Sequence, residues 1–169
     1  MLVGNGALAM IKKAFEINNV KSNDIDFEKL KQKFLEIYKT CYVKKSRLYP
    51  FTYEVLEFLK EKKIKILLVS NKPEYFVKKI LDHFNISKYF ASISGGDTFS
   101  FRKPNAKHLT ETIANAGIDK YNCIFIGDSI ADAECAKNSN SQLILLEHGY
   151  SRENIRLMGA DYIFKDLKQ

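Results

Sequence analysis

The chain has 169 residues, enough to bury a hydrophobic core without disulfides or a structural metal. Hydrophobic residues are 46% and charged residues 28% of it, with 8 Gly and 3 Pro, which excludes a disordered or linker-rich polymer. The net charge is +7, from 27 Lys and Arg against 20 Asp and Glu.

The positive charge is almost all Lys and is spread along the chain; the arginines are Arg47, Arg102, Arg152 and Arg156. That dispersion points to a solvated surface with a mild pull on small anions, and away from a nucleic-acid surface. No apolar run approaches the roughly 20 residues of a membrane span. Met1–Met10 is apolar but lacks a basic n-region, so no secretory signal is read. Cys41, Cys123 and Cys135 match no zinc or redox spacing; Cys123 in an apolar strand and Cys135 on a helix are expected to be free, buried thiols, and the odd count suggests a reducing cytoplasm.

Residues 1–48 read as helical. Leu8, Ile11, Ala14, Phe15 and Ile17 recur at helical spacing, and Phe27, Leu30, Phe34, Ile37 and Tyr38 do so again. Asp26 is the expected N-cap of the second helix. From Tyr49-Pro50 onward helices and strands alternate. A helix is expected over Thr52–Lys62, a buried strand over Ile64–Val69 and a helix over Glu74–Phe84. A strand over Phe90–Ser94 and a helix over Asn105–Ala116, closed by Gly117, follow. Cys123–Ile126 reads as a buried strand, Ile130–Asn138 as a helix, and Leu143–Leu146 as a strand. Ser151–Met158 reads as a helix and Tyr162–Phe164 as a last short strand.

This alternation predicts an α/β fold: a Rossmann-like parallel sheet over 49–169, preceded by a partial helical cap over 1–48. Such sheets bind ligands beyond the carboxyl ends of their strands. Three strand ends carry polar groups there. Ser70-Asn71 offers a hydroxyl and backbone N–H groups to a phosphate oxygen, or is simply a strand stop and helix cap. Lys103 lies before a helix that Pro104 can open, where the helix dipole disfavours a cation unless it neutralises something; a surface lysine is the plain alternative. Asp128 and Asp132, four residues apart after an apolar strand and Gly127, can face one point at a helix start. Hard oxygen ligands there suit Mg²⁺; helix-dipole acids are the alternative.

In this order the three segments resemble the haloacid dehalogenase-like superfamily of phosphatases, and look most like its bacterial phosphoglycolate phosphatases. The resemblance covers nearly the whole chain. Val3-Gly4-Asn5-Gly6 looks like a cap loop of that family, Ser70 with Asn71-Lys72-Pro73 like its second motif, and Lys103-Pro104 like its third, with Gly95-Gly96-Asp97 upstream. Gly127-Asp128-Ser129 with Asp132 looks like its fourth. The resemblance implies that Ser70 and Asn71 bind phosphate, and that Lys103 steadies phosphate and nucleophile. It also implies that Asp128 holds Mg²⁺ and Asp132 supports the metal shell. The implied partner is a small phosphorylated metabolite, with no nucleic acid and no membrane.

The family's first motif is an apolar strand followed by Asp-x-Asp-Gly-Thr, whose first Asp is the nucleophile. These 169 residues hold no such segment. The one Asp-x-Asp, Asp24-Ile25-Asp26, has no strand before it and no Gly-Thr after it, and reads as a turn and cap. In the family the missing strand is the centre of the sheet, between the strands ending at Ser70 and at Asp128. Its absence is expected to leave two unpaired edges and a chain inactive by itself. A mis-set start or cut boundary, a degraded remnant, and an upstream fragment that supplies the strand all remain open. So does a non-catalytic phosphate- or metal-binding module.

Gly4-x-Gly6-x-x-Ala9 lacks the strand context of a dinucleotide fingerprint. His83, His108 and His148 share no metal spacing. Phe99 and Phe101 line a substrate mouth or a packed loop.

Overall fold

A computed structural model describes residues 6–21, 23–119, 122–149 and 154–168. Val3, Gly4 and Asn5 of the cap-loop reading lie outside the described residues, as does the first part of the helix expected at Ser151.

Helices α1 (Ala7–Ile17) and α2 (Phe27–Lys39) form a hairpin, with the Phe15 and Phe27 rings edge to face at 5.5 Å. Asp26 caps α2 by accepting the Lys29 N–H at 3.0 Å. Tyr38 of α2 then packs edge-on against Phe76 at 4.8 Å, which joins the hairpin to the rest of the molecule.

Next come α3 (Thr52–Glu61), β1 (Ile66–Val69), α4 (Glu74–His83) and β2 (Phe90–Ser94). These are followed by α5 (Ala106–Asn115), β3 (Ile124–Gly127), α6 (Ile130–Ser139), β4 (Gln142–Leu146) and β5 (Tyr162–Phe164). The expected helix near Ser151 is replaced, in its described part, by a single 3₁₀ turn over Ile155–Leu157. Pro104 does not open α5; Asn105 does, its side chain accepting the Lys107 N–H at 2.9 Å.

All strand pairs are parallel, and they fall into two sheets. β1 pairs with β2, and β3 pairs with β4, which pairs with β5. Thus β1 and β3 each have a strand neighbour on one side only among the described residues. Helix α5 bridges the two sheets: its Leu109 and Ile113 pack with Cys135 against Leu67 and Val69 of β1 and Phe125 of β3. A second core lies between α4 and the first sheet, around Val77, Leu81 and Ile86. A third lies under α6, around Ala136, Leu143 and Leu145.

One expectation needs correcting. The Cys123–Ile126 run is not a strand buried on both faces. Side chains alternate along a strand, and Phe125 faces α5 while Ile124 is 58% and Ile126 48% exposed. Nothing among the described residues covers that face. Cys123 lies before the strand and, like Cys41, is half-buried; Cys135 alone is fully buried, and burial pushes its thiol up to about 11.

Candidate functional site

The three polar segments meet at the carboxyl ends of β1 and β3. At the end of β1 the Ser70 N–H donates to the Ser94 carbonyl at 2.9 Å, toward β2. The carbonyl of the same peptide unit, Val69 O, points to the opposite side, where β1 has no strand. The Lys103 ammonium meets it there, donating at 2.8 Å. The Ser70 hydroxyl accepts the Lys72 N–H at 3.2 Å and bends the chain out of the strand.

Asn71 is buried, and its amide donates to the Lys103 carbonyl at 2.9 Å. Its side chain ties the exit of β1 to the Lys103 loop rather than opening to solvent. The approach needs Gly96, where a Cβ would stand 2.3 Å from the Asn71 carbonyl oxygen.

Lys103 precedes a cis peptide bond to Pro104. Its side chain meets an acid in the first turn of another helix, α6. It runs inward, 11% exposed, past the Phe125 ring to a 2.7 Å ion pair with Asp132. Its backbone N–H donates to Nδ1 of the wholly buried His108 at 3.2 Å. Nδ1 therefore carries no proton, and the imidazole is neutral. Burial, reinforced by the Lys103 charge, pushes the His108 pKa down to about 4. His108 thus has a packing role, with the further task of holding the Lys103 turn. Phe99 stacks on Phe101 and abuts the His108 ring, which makes this segment a packed loop.

The two acids after β3 do different things. Asp132 is 4% exposed and heavily bonded. Its Oδ1 accepts from Lys103, and its Oδ2 accepts from the Asp128 N–H, the Ser129 N–H and the Ser129 hydroxyl. Ser129 returns the favour through a capping box that starts α6. Burial pushes the Asp132 carboxyl up, but Lys103 and these donors outweigh it and hold the group below the usual carboxylate range. Gly127 makes room, since a Cβ there would lie 2.4 Å from the Asp132 Cβ. Asp128 is half-buried and seats against Gly149, where a Cβ would lie 2.4 Å from its own.

Sequence reasoning gave Ser129 no role of its own and did not single out Gly149. The Ser-x-x-Asp spacing is a capping-box signal that could have found the first. Nothing local marks the second, because it comes from the loop after β4. Among the described residues no three His, Cys, Asp or Glu side chains gather as a metal cage. Mg²⁺ needs none, since one or two carboxylates with water and substrate phosphate suffice, and Asp128 fits that role. Asp132 fits a supporting one, as its oxygens are already engaged. Asp24 is exposed in a turn and Asp26 is a helix cap, as read from the sequence.

The chain as a whole is matched by known proteins. The family model of the haloacid dehalogenase-like hydrolases matches residues 2–146. The chain belongs to this family. A phosphoglycolate phosphatase of Agrobacterium fabrum is 35% identical over 98% of this chain and 71% of its own length. One from Pseudomonas syringae pv. tomato is 33% identical over 88% of this chain and 55% of its own length. The chain therefore spans between about half and about seven tenths of these relatives' length. A crystal structure titled as a predicted phosphoglycolate phosphatase from Haemophilus somnus superposes with a TM-score of 0.87 at 28% identity, covering 98% of this chain and 76% of that one. No helix among the described residues is long and apolar enough to cross a membrane.

Proposed function

We propose that this chain carries the phosphate- and metal-holding half of a phosphatase site for a small phosphate monoester, 2-phosphoglycolate being the best single candidate. The observation that carries the reading is the convergence of the Ser70 exit, Lys103 and Asp128 at adjoining strand ends. The names of the relatives supply the substrate. In this reading Lys103 and the Ser70 hydroxyl hold phosphate oxygens, with the backbone N–H groups after β1. Asn71 contributes by fixing the Lys103 loop. Asp128 would hold Mg²⁺, which supplies positive charge to the phosphoryl group when bound.

The 169 residues by themselves are proposed to bind phosphate but turn over little or none, because no nucleophilic Asp-x-Asp-Gly-Thr stands among them. A strand carrying it, seated between β1 and β3, would pair both one-sided edges and cover apolar surface; an upstream fragment is one source. The one-sided pairing of both strands supports this reading.

The test is a phosphatase assay with Mg²⁺ and 2-phosphoglycolate on the purified chain, beside calorimetric titration with inorganic phosphate. Saturable phosphate binding without turnover is expected. Robust turnover abolished by Asp128→Asn would overturn the inactivity, and absence of phosphate binding would overturn the site.

A further inference from the structure

Arg102 and Lys103 are neighbours in sequence, and their side chains part. Lys103 turns into the core and is neutralised by Asp132. Arg102 is exposed and turns toward the helical hairpin. Its Nη1 lies 3.0 Å from the point where a Cβ on Gly6 would stand, and the Asn71 carbonyl lies 3.8 Å from that same point. The guanidinium therefore sits where the start of α1 meets the loop after β1, next to the proposed phosphate site. Gly6 has φ 85°, a conformation that favours glycine, and its lack of a side chain is what leaves the guanidinium room.

Nothing neutralises this arginine. Among the described residues its side chain makes no ion pair and no hydrogen bond. The other cation on this side, Lys72, reaches the Tyr38 hydroxyl at 2.5 Å and has no acid partner among the described residues either. Arg102 thus adds a positive charge that no described acid balances, beyond the one that Asp132 balances. A guanidinium presents its donors as a rigid planar fork that matches a carboxylate in two places at once.

We propose that Arg102 is a specificity-determining residue that receives a carboxylate on the same small molecule whose phosphate is held at Ser70 and Lys103. The inference rests on the phosphate-site reading above and adds the second anionic group to it. The Arg102 guanidinium and the Asn71 carbonyl, one residue from Ser70, approach the same point beside Gly6. A charge that close to the Ser70 turn suits a ligand whose carboxylate lies one methylene from its phosphate ester oxygen, such as 2-phosphoglycolate.

Calorimetric titration of the 169-residue chain with Mg²⁺ present tests this. The probes are 2-phosphoglycolate and ethyl phosphate, which has the same length but no carboxylate. The wild-type chain is expected to prefer 2-phosphoglycolate by about tenfold or more. Arg102→Gln should erase the preference by weakening 2-phosphoglycolate alone, and Arg102→Lys should restore part of it. Because the Arg102 side chain is exposed and bonded to nothing described, the variants should melt with the wild type. Equal weakening of both ligands by Arg102→Gln, or a preference that survives it, overturns the proposal. Wild-type binding of both ligands with equal affinity overturns it alone. Binding of neither ligand overturns the phosphate-site reading and this proposal with it.

Discussion

The Lys103 ammonium stands 2.7 Å from Oδ1 of Asp132, and both side chains are nearly closed to solvent. The pair links the loop after β2 to the helix after β3, so it joins elements that belong to two separate sheets. It also brings the ammonium to the Val69 carbonyl, which has no strand to bond.

Removing one member of such a pair leaves a buried charge alone. Asp132→Ala and Lys103→Met are each expected to lower stability by about 3–5 kcal/mol, read as a fall in the urea midpoint. The double variant Lys103→Met with Asp132→Leu should lose clearly less than the sum, since both charges then vanish. Additive losses would mean that the pair is not coupled as its geometry requires.

Acid should destabilise the chain through His108 first. Its native pKa is lowered from 6.5 to about 4, so the unfolded state takes up the proton more readily. Stability from this group is therefore complete above pH 6.5 and is lost as pH falls toward 4, about 3 kcal/mol in all. Asp132 has the same sign, its contribution being lost at lower pH as the carboxyl protonates below its ordinary 3.8. His108→Asn keeps an acceptor for the Lys103 N–H and removes the titration. Its stability, measured by thermal melts across pH 4–7, should vary less over that window than the wild type's.

The glycines under the two acids give a stability and a binding prediction. Gly127→Ala would press on Asp132 and is expected to cost about 1–3 kcal/mol, a fall of several degrees in Tm. Gly149→Ala would press on Asp128 instead, and should weaken Mg²⁺ binding in a calorimetric titration more than it lowers Tm. A Gly149→Ala chain with unchanged Mg²⁺ affinity would remove Asp128 from the metal site.

The uncovered face of β3 can be compared with its covered neighbour. Ile126→Thr should change stability by less than about 1 kcal/mol, because the side chain is 48% exposed. Leu145→Ala on β4 removes a side chain with no exposure, and should cost about 2–5 kcal/mol by urea denaturation. A large loss at Ile126 would mean that the bare face is covered in solution.

The sequence by itself determined the elements and the chemistry-bearing residues. Helical spacing placed α1 and α2, short apolar runs placed the five strands, and Asp26 was legible as a cap because capping is local. Ser70, Lys103 and Asp128 were legible because a parallel sheet puts its strand ends on one side. Tertiary structure alone decided what those residues touch. Asp132 looked like an open ligand beside Asp128, and instead it is the buried partner of Lys103, a residue 29 positions earlier. Asn71 turned inward for a similar reason, since the Lys103 carbonyl it meets comes from a different loop. The bare face of β3 was hidden for the converse reason. An apolar run records that a strand expects cover on both faces, and only the assembled sheets reveal which cover these residues provide.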